Sequence, residues 1–333
     1  MSRNLSFFEQ RFLTYAGFLF PPNQTAMPHT LHILNGDATL QLFEQSSIEG
    51  EPFVWREVLA EGPVHPEFNS YEFWNERRAF MTDLFSIETG GYDKDVYEPF
   101  MELSTKLHQF DEIVLWFEYD LFCQINMMAL ISYLGDKREP AQTISMVCSG
   151  RIDNSGRLFG LGELTPQQLE DQLAKKLKLN TREFDYAKDV YRAYCSNQPD
   201  ALYTYSIMPS DEFWYIADAL KTHFRRFPNS MTGLTEIEQK VVDLANEGVS
   251  DQKEMVGKLL KWQKIYGFGD LQYFATIVYL KSLFADFDRL KLKAEPELSS
   301  AIKSLDRNMK LGGATLANWQ FNPQLQELEM VSV

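Results

Sequence analysis

Cysteine is scarce: the 333 residues hold Cys123, Cys148 and Cys195 and no others. They are widely spaced, odd in number and set among apolar neighbours, which excludes a disulfide framework and a zinc-finger spacing and fits reduced structural thiols. No stretch approaches the roughly 18 apolar residues that a membrane-spanning helix needs. The best run, 122–134, is interrupted by Gln124 and Asn126. At the amino terminus the aromatic stretch 5–20 contains Glu9 and Arg11 where an export signal needs an unbroken apolar region. Positive charge is in deficit, with 32 Lys and Arg against 47 Asp and Glu and a formal net charge of -15. That balance excludes coating nucleic acid or an anionic membrane through bulk charge. The chain also lacks a nucleophile elbow, a Ser-His-Asp order, a Walker loop and a CxxC pair, and His65, His108 and His223 show no metal-ligand spacing. The expectation is a cytoplasmic protein with no membrane anchor.

What is present is a large apolar share, 44%, of which aromatics make up 14% of the chain, enough for a sizeable core in two domains or a little more. Thr30-Leu31-His32-Ile33-Leu34 reads as a strand ending in the turn Asn35-Gly36-Asp37, with a helical stretch over 38–45. A second strand over 52–59 stops at Ala60-Glu61-Gly62-Pro63 and precedes a helix with Tyr71, Trp74, Arg77 and Arg78. The third, 111–117, is a continuous apolar run leading through Glu118-Tyr119-Asp120 into a helix with Phe122, Ile125 and Met128. After a break at Gly135-Asp136 comes a fourth strand, 142–148.

Strands alternating with helices predict an α/β fold: a mostly parallel, Rossmann-like sheet of about four strands covered on both faces. Residues 1–27 read as an arm bearing Phe7, Phe8, Phe12 and Phe18, 28–150 as the α/β domain, and 151–232 as a helical linker domain of three helices. Thr165 is the expected N-cap of the first, with Pro166 at its first position. Thr235-Glu236-Ile237-Glu238 opens a new helix as a capping box, Gly248-Val249-Ser250 punctuates a helix-turn-helix, and a hairpin near Gly312-Gly313 completes a winged-helix-like domain over 233–333. Its second helix sets Lys253, Lys258, Lys261 and Lys264 against Asp251 and Glu254, only mildly basic, so a protein contact is the expected role ahead of DNA.

Four blocks, His32-Ile33-Leu34-Asn35-Gly36-Asp37, Val54-Trp55-Arg56-Glu57-Val58-Leu59, Glu61-Gly62-Pro63 and Leu115-Trp116-Phe117-Glu118-Tyr119-Asp120-Leu121-Phe122, resemble an uncharacterised bacterial family, domain of unknown function 1835. The later pieces Gly160-Leu161-Gly162-Glu163-Leu164, 223–228, Gly233-Leu234-Thr235 and Gly312-Gly313 are similar to its companion, domain of unknown function 3658. The family's commoner forms have Asp in place of Glu57 and often His in place of Tyr119. The resemblance implies architecture and no activity.

Ligands of parallel sheets bind at the strands' carboxyl ends, where this chain places Asp37, Glu57 or Glu61, Glu118 and Asp120. Such a cluster needs a cation, with Mg²⁺ the expected one held by Asp37, Glu57, Glu118 and Asp120, or an internal partner among Arg56, Arg77 and Arg78. Helix capping is the ordinary alternative for Asp37 and Asp120. Asn35 and Gly36 would let a ligand approach the backbone, Arg77 would clamp an anion, and Gln124, one turn after Asp120, would face the same crevice. Trp55 would stack on a base or, more commonly for a strand tryptophan, pack in the core. The expected function is binding of a small polar or phosphorylated ligand, with metal-assisted phosphoester or nucleotide chemistry as its catalytic form. The competing expectation is a regulatory protein with a ligand-sensing α/β domain and a winged-helix output.

Overall fold

A computed structural model describes residues 29–85, 90–153, 155–208 and 210–331. The expected arm over 1–27 lies outside them. Strand β1 (Thr30–Leu34) has every residue buried, as a strand covered on both faces must. Its side chains alternate, so Leu31 and Ile33 enter the main core while Leu34 joins a smaller cluster on the opposite face with Phe43, Val114 and Trp116. Helix α1 (Asp37–Phe43), strand β2 (Glu51–Val54) and helix α2 (Tyr71–Phe85) follow. Strand β2 stops short of the expected 59 because the chain turns away at Glu57, whose carboxylate folds back onto the Val58 N–H.

Helix α3 (Glu98–Lys106) leads into β3 (Glu112–Phe117), α4 (Leu121–Lys137) and β4 (Thr143–Cys148). Helix α4 runs straight through Gly135: a Cβ there would lie 3.0 Å from Phe184, so that glycine serves close helix packing and not a break. Its sequence is apolar nearly all round, and the helix is correspondingly buried. After α5 (Pro166–Leu173) comes a short strand, β5 (Leu177–Lys178), which was not expected. The sheet order is β2-β1-β3-β4-β5, with the first four strands parallel and β5 antiparallel on β4.

Helices α6 (Thr181–Tyr194), α7 (Tyr203–Ile207) and α8 (Ile216–Phe224) complete the middle of the chain. The expected caps are in place. The Thr165 hydroxyl accepts from Gln168 N–H, and Thr235 and Glu238 exchange bonds at the start of α9 (Glu236–Asn246). Next come α10 (Gln252–Trp262), α11 (Asp270–Tyr279), a hairpin of β6 (Phe284–Asp286) and β7 (Lys291–Leu292), and α12 (Glu297–Lys303). Two more hairpins end the fold, β8 (Lys310–Leu311) with β9 (Ala314–Thr315) and β10 (Trp319–Asn322) with β11 (Glu327–Met330).

One apolar core runs from Leu31 to Leu328 through all three expected segments. The carboxyl-terminal third sits directly on the strand ends: Leu121 and Phe122 N–H donate to the carbonyls of Ile265 and Tyr266, and Gly312 N–H donates to Gly62. Arg226 forms a buried ion pair of 2.7 Å with Glu61. Among the described residues no helix is long and apolar enough to cross a membrane.

Candidate functional site

The sheet order makes the chain leave β1 for one neighbour, β2, and return on the other side as β3. At such a reversal the loops diverge and leave a crevice at the carboxyl ends of the strands. Leu34 is level with Trp116, so the Asn35-Gly36-Asp37 turn and the Glu118-Tyr119-Asp120 turn emerge side by side. Gly36 is extended, and a Cβ on it would meet nothing within 4 Å. The ground above this turn is open.

The acids expected to act together are divided. Asp37 does not cap its helix; it pairs with Arg56 at 2.5 Å, both side chains well exposed. Glu57 is fully buried and held bidentately by Arg77 at 2.8 and 2.9 Å, with Tyr92 Oη donating to it at 2.5 Å. Arg77 spends its remaining N–H groups on the carbonyls of Val58, Glu61 and Pro63, so it clamps the chain's own turn and no outside anion. Arg78 pairs with Asp93. Trp55 is core: its Nε1–H donates to Asn126 Oδ1 at 2.9 Å and its ring packs edge-on against Phe100. His32 is satisfied between Trp116 Nε1–H and the Glu49 carbonyl, and burial lowers its pKa to about 4.

Glu118 and Asp120 are held differently from Asp37 and Glu57. Neither enters an ion pair with any described residue. Glu118 Oε1 accepts from Asn35 Nδ2 at 2.9 Å and from Leu161 N–H at 2.8 Å. Asp120 caps α4 as expected, accepting from Cys123 N–H at 2.7 Å. Burial raises the pKa of both; the charge of Glu163 adds to the rise of Glu118, and the charge of Glu118 adds to that of Asp120, which comes to about 7. Glu118 receives two N–H groups and Asp120 one, so a proton bound by the pair is better accommodated on Asp120.

Gln124 touches the backbone of this turn and neither carboxylate. It is fully buried, and its Nε2 donates to the Glu118 carbonyl at 2.6 Å and to Cys148 Sγ at 3.4 Å, while its Oε1 has no partner at all. A buried oxygen of this kind calls for a partner, which a water or an ion can supply. Two turns roof the pair. A Cβ on Gly160 would stand 2.7 Å from Glu118 Oε2, and one on Gly267, whose φ is +73°, would stand 2.3 Å from Asp120 Cγ.

The residue that sequence reasoning passed over is Cys123. Glu118, Asp120 and Cys123 each bring a ligand atom within 4.8 Å of the other two, a group that includes neither Asp37 nor Glu57. The signal was present: the N-cap carboxylate of a helix bonds the N–H three residues on, which sets the side chain at that position beside it. Gly267 is 147 positions beyond Asp120 and carried no local signal. For the expected Mg²⁺, two carboxylates suffice as oxygen donors, but the third donor of the cluster is a sulfur that Mg²⁺ does not favour.

Neither a protein-family model nor a curated protein matches the chain.

Proposed function

We propose that this protein binds a small polar ligand in the crevice between the carboxyl ends of β1 and β3, with Asn35, Glu118, Asp120 and Gln124 as its contacts. The observation that carries the reading is the pair of half-buried Glu118 and buried Asp120, which forms no ion pair with any described residue although the neighbouring acids Asp37 and Glu57 both do. A pair left with a single proton selects ligands that bring positive charge or hydrogen-bond donors. A phosphorylated ligand enters here only through a bridging cation, which is the form that metal-assisted phosphoester or nucleotide chemistry takes on this site. The test is a thermal-shift panel of divalent cations, nucleotides and phosphorylated sugars. A stabilising ligand whose effect is abolished by Glu118→Gln and kept by Asp37→Asn supports the reading; a panel without any shift removes it.

A second reading has its own observation. Helices α9, α10 and α11 with the β6–β7 hairpin have the element order of a winged helix, and Lys253, Lys258, Lys261 and Lys264 are all exposed along and just beyond α10. In this reading the ligand site reports to a winged-helix output. Because the core is continuous, the full chain is the reagent: salt-dependent binding to duplex DNA favours the reading, and a flat curve at low salt limits its partners to proteins.

A further inference from the structure

The cluster at the switch point has a donor set of its own, and it is that of a thiophilic ion. Glu118, Asp120 and Cys123 belong to one six-residue segment, Glu118-Tyr119-Asp120-Leu121-Phe122-Cys123, that passes from the end of β3 into the first turn of α4. Two facts bear on the space among them, and a third on the backbone of the same segment. Their ligand atoms lie within 4.8 Å of one another. Asn35 Nδ2 points at two of them at once, 2.9 Å from Glu118 Oε1 and 3.5 Å from Cys123 Sγ, so the lone pairs of a carboxylate and a sulfur face one point. Gln124, fully buried and held against the Glu118 carbonyl, keeps an oxygen that nothing in the fold satisfies.

On the reading that this crevice binds a ligand, we infer that its resident is a divalent ion of borderline softness, zinc being the type case, held by Glu118, Asp120 and Cys123 in place of the magnesium that an acidic cluster alone would imply. Zinc accepts thiolate and carboxylate together in a tetrahedral shell with bonds of about 2.0–2.3 Å, so ligand atoms on one ion stand roughly 3.5 Å apart, and the three close by little more than about an ångström to reach it. The Cys123 thiol and the protonated carboxyl release their protons to solvent as they ligate. The fourth position has a donor at hand. Asn35 now presents its amide nitrogen to the cluster and accepts from Thr39 Oγ1 at 2.7 Å with its oxygen. Turning the amide over gives the ion an oxygen and leaves the Thr39 hydroxyl to accept from the nitrogen. Gln124 Oε1 then serves as an outer acceptor, for a ligand or a metal-bound water.

The experiment uses the full chain stripped with chelator and titrated with Co²⁺ as a spectroscopic stand-in for zinc. One ion per chain is expected, with tetrahedral visible bands and a thiolate-to-cobalt charge-transfer band, displaced by Zn²⁺ and unaffected by a large excess of Mg²⁺. Cys123→Ser abolishes the charge-transfer band and Cys195→Ser leaves it intact, with circular dichroism confirming that both are folded. Gln124→Leu keeps the band and weakens affinity about tenfold or more, as loss of an outer-sphere partner does. The wild-type spectrum decides the matter even if Cys123→Ser fails to fold. Mg²⁺ binding without a thiolate band overturns the zinc assignment while the ligand-binding reading stands. The same holds if an organic ligand stabilises the protein and no cation binds. Silence from every cation and every ligand removes both.

Discussion

Replacing Asp120 with asparagine interrogates the carboxyl pair through stability alone. In the metal-free protein the Asp120 carboxyl shifts from the ordinary 3.8 to about 7, chiefly by burial and then by the charge of Glu118. A carboxyl raised on folding binds more protons in the native state than in the unfolded one. Its stabilising contribution is therefore complete below 3.8 and is lost as the pH climbs through 7. The full displacement corresponds to about 4 kcal/mol, a ceiling for a pair that shares its proton. Asparagine copies the protonated acid: its Oδ1 accepts the Cys123 N–H that Asp120 now receives, its Nδ2 donates toward Glu118, and the helix keeps a favoured cap. Urea midpoints measured with chelator from about pH 4 to pH 8 should show variant and wild type level at the acid end. The variant gains steadily through the window, to as much as about 4 kcal/mol at its top. All other titrating groups are common to both proteins, so the difference curve isolates the pair. A flat difference curve refutes the shared proton.

Glu57→Gln leaves the Arg77 guanidinium buried without its counter-charge and is expected to cost about 3–5 kcal/mol, whereas Asp37→Asn breaks an exposed pair and costs less than about 1 kcal/mol without altering ligand binding; urea midpoints separate the two. Gly267→Ala forces a side chain into a left-handed φ of +73° and against the Asp120 carboxyl, for an expected loss of at least about 2 kcal/mol. Part of that loss should vanish in the Asp120→Ala background, and a double-mutant cycle reads it directly. Trp55→Phe orphans the Asn126 amide oxygen inside the core and should cost about 1–3 kcal/mol by the same midpoint assay, with no effect on any ligand shift.

The architecture was legible wherever local chemistry dictates it. The run from Ile113 to Phe117 has no polar face and can only be a strand buried on both sides; Thr165 and Thr235 announce their helices because a hydroxyl N-cap satisfies backbone donors that nothing else reaches. Strand β5 was illegible because it is two exposed residues long, and its pairing with Ser145 and Met146 is decided by the sheet edge it finds and not by its own composition. Gly135 misled for a related reason: a glycine reads as a helix breaker until the partner helix that needs its missing side chain is known. The continuity of the core across the three expected segments likewise depends on contacts such as Arg226 with Glu61, which join residues 165 positions apart.

The site was legible as a list of acids and illegible as a division among them. Which acid receives an arginine follows from the direction each side chain takes after its strand ends. Asp37, exposed at the start of α1, meets Arg56 from the neighbouring strand end. Glu57 is carried into the core by the turn after β2 and must bring Arg77 with it, since a lone buried carboxylate there would be intolerable. Glu118 and Asp120 sit two residues apart in a single turn, too close to separate, and the described elements that close over them contribute a cysteine, an amide and glycines, while Arg157 on the same segment pairs with Glu163. Pairing of the first two acids is therefore what sets the second two apart: the fold has arginines at these strand ends and pairs none of the described ones with this pair, leaving the carboxyls to a proton or, on the proposed reading, to a ligand that replaces it.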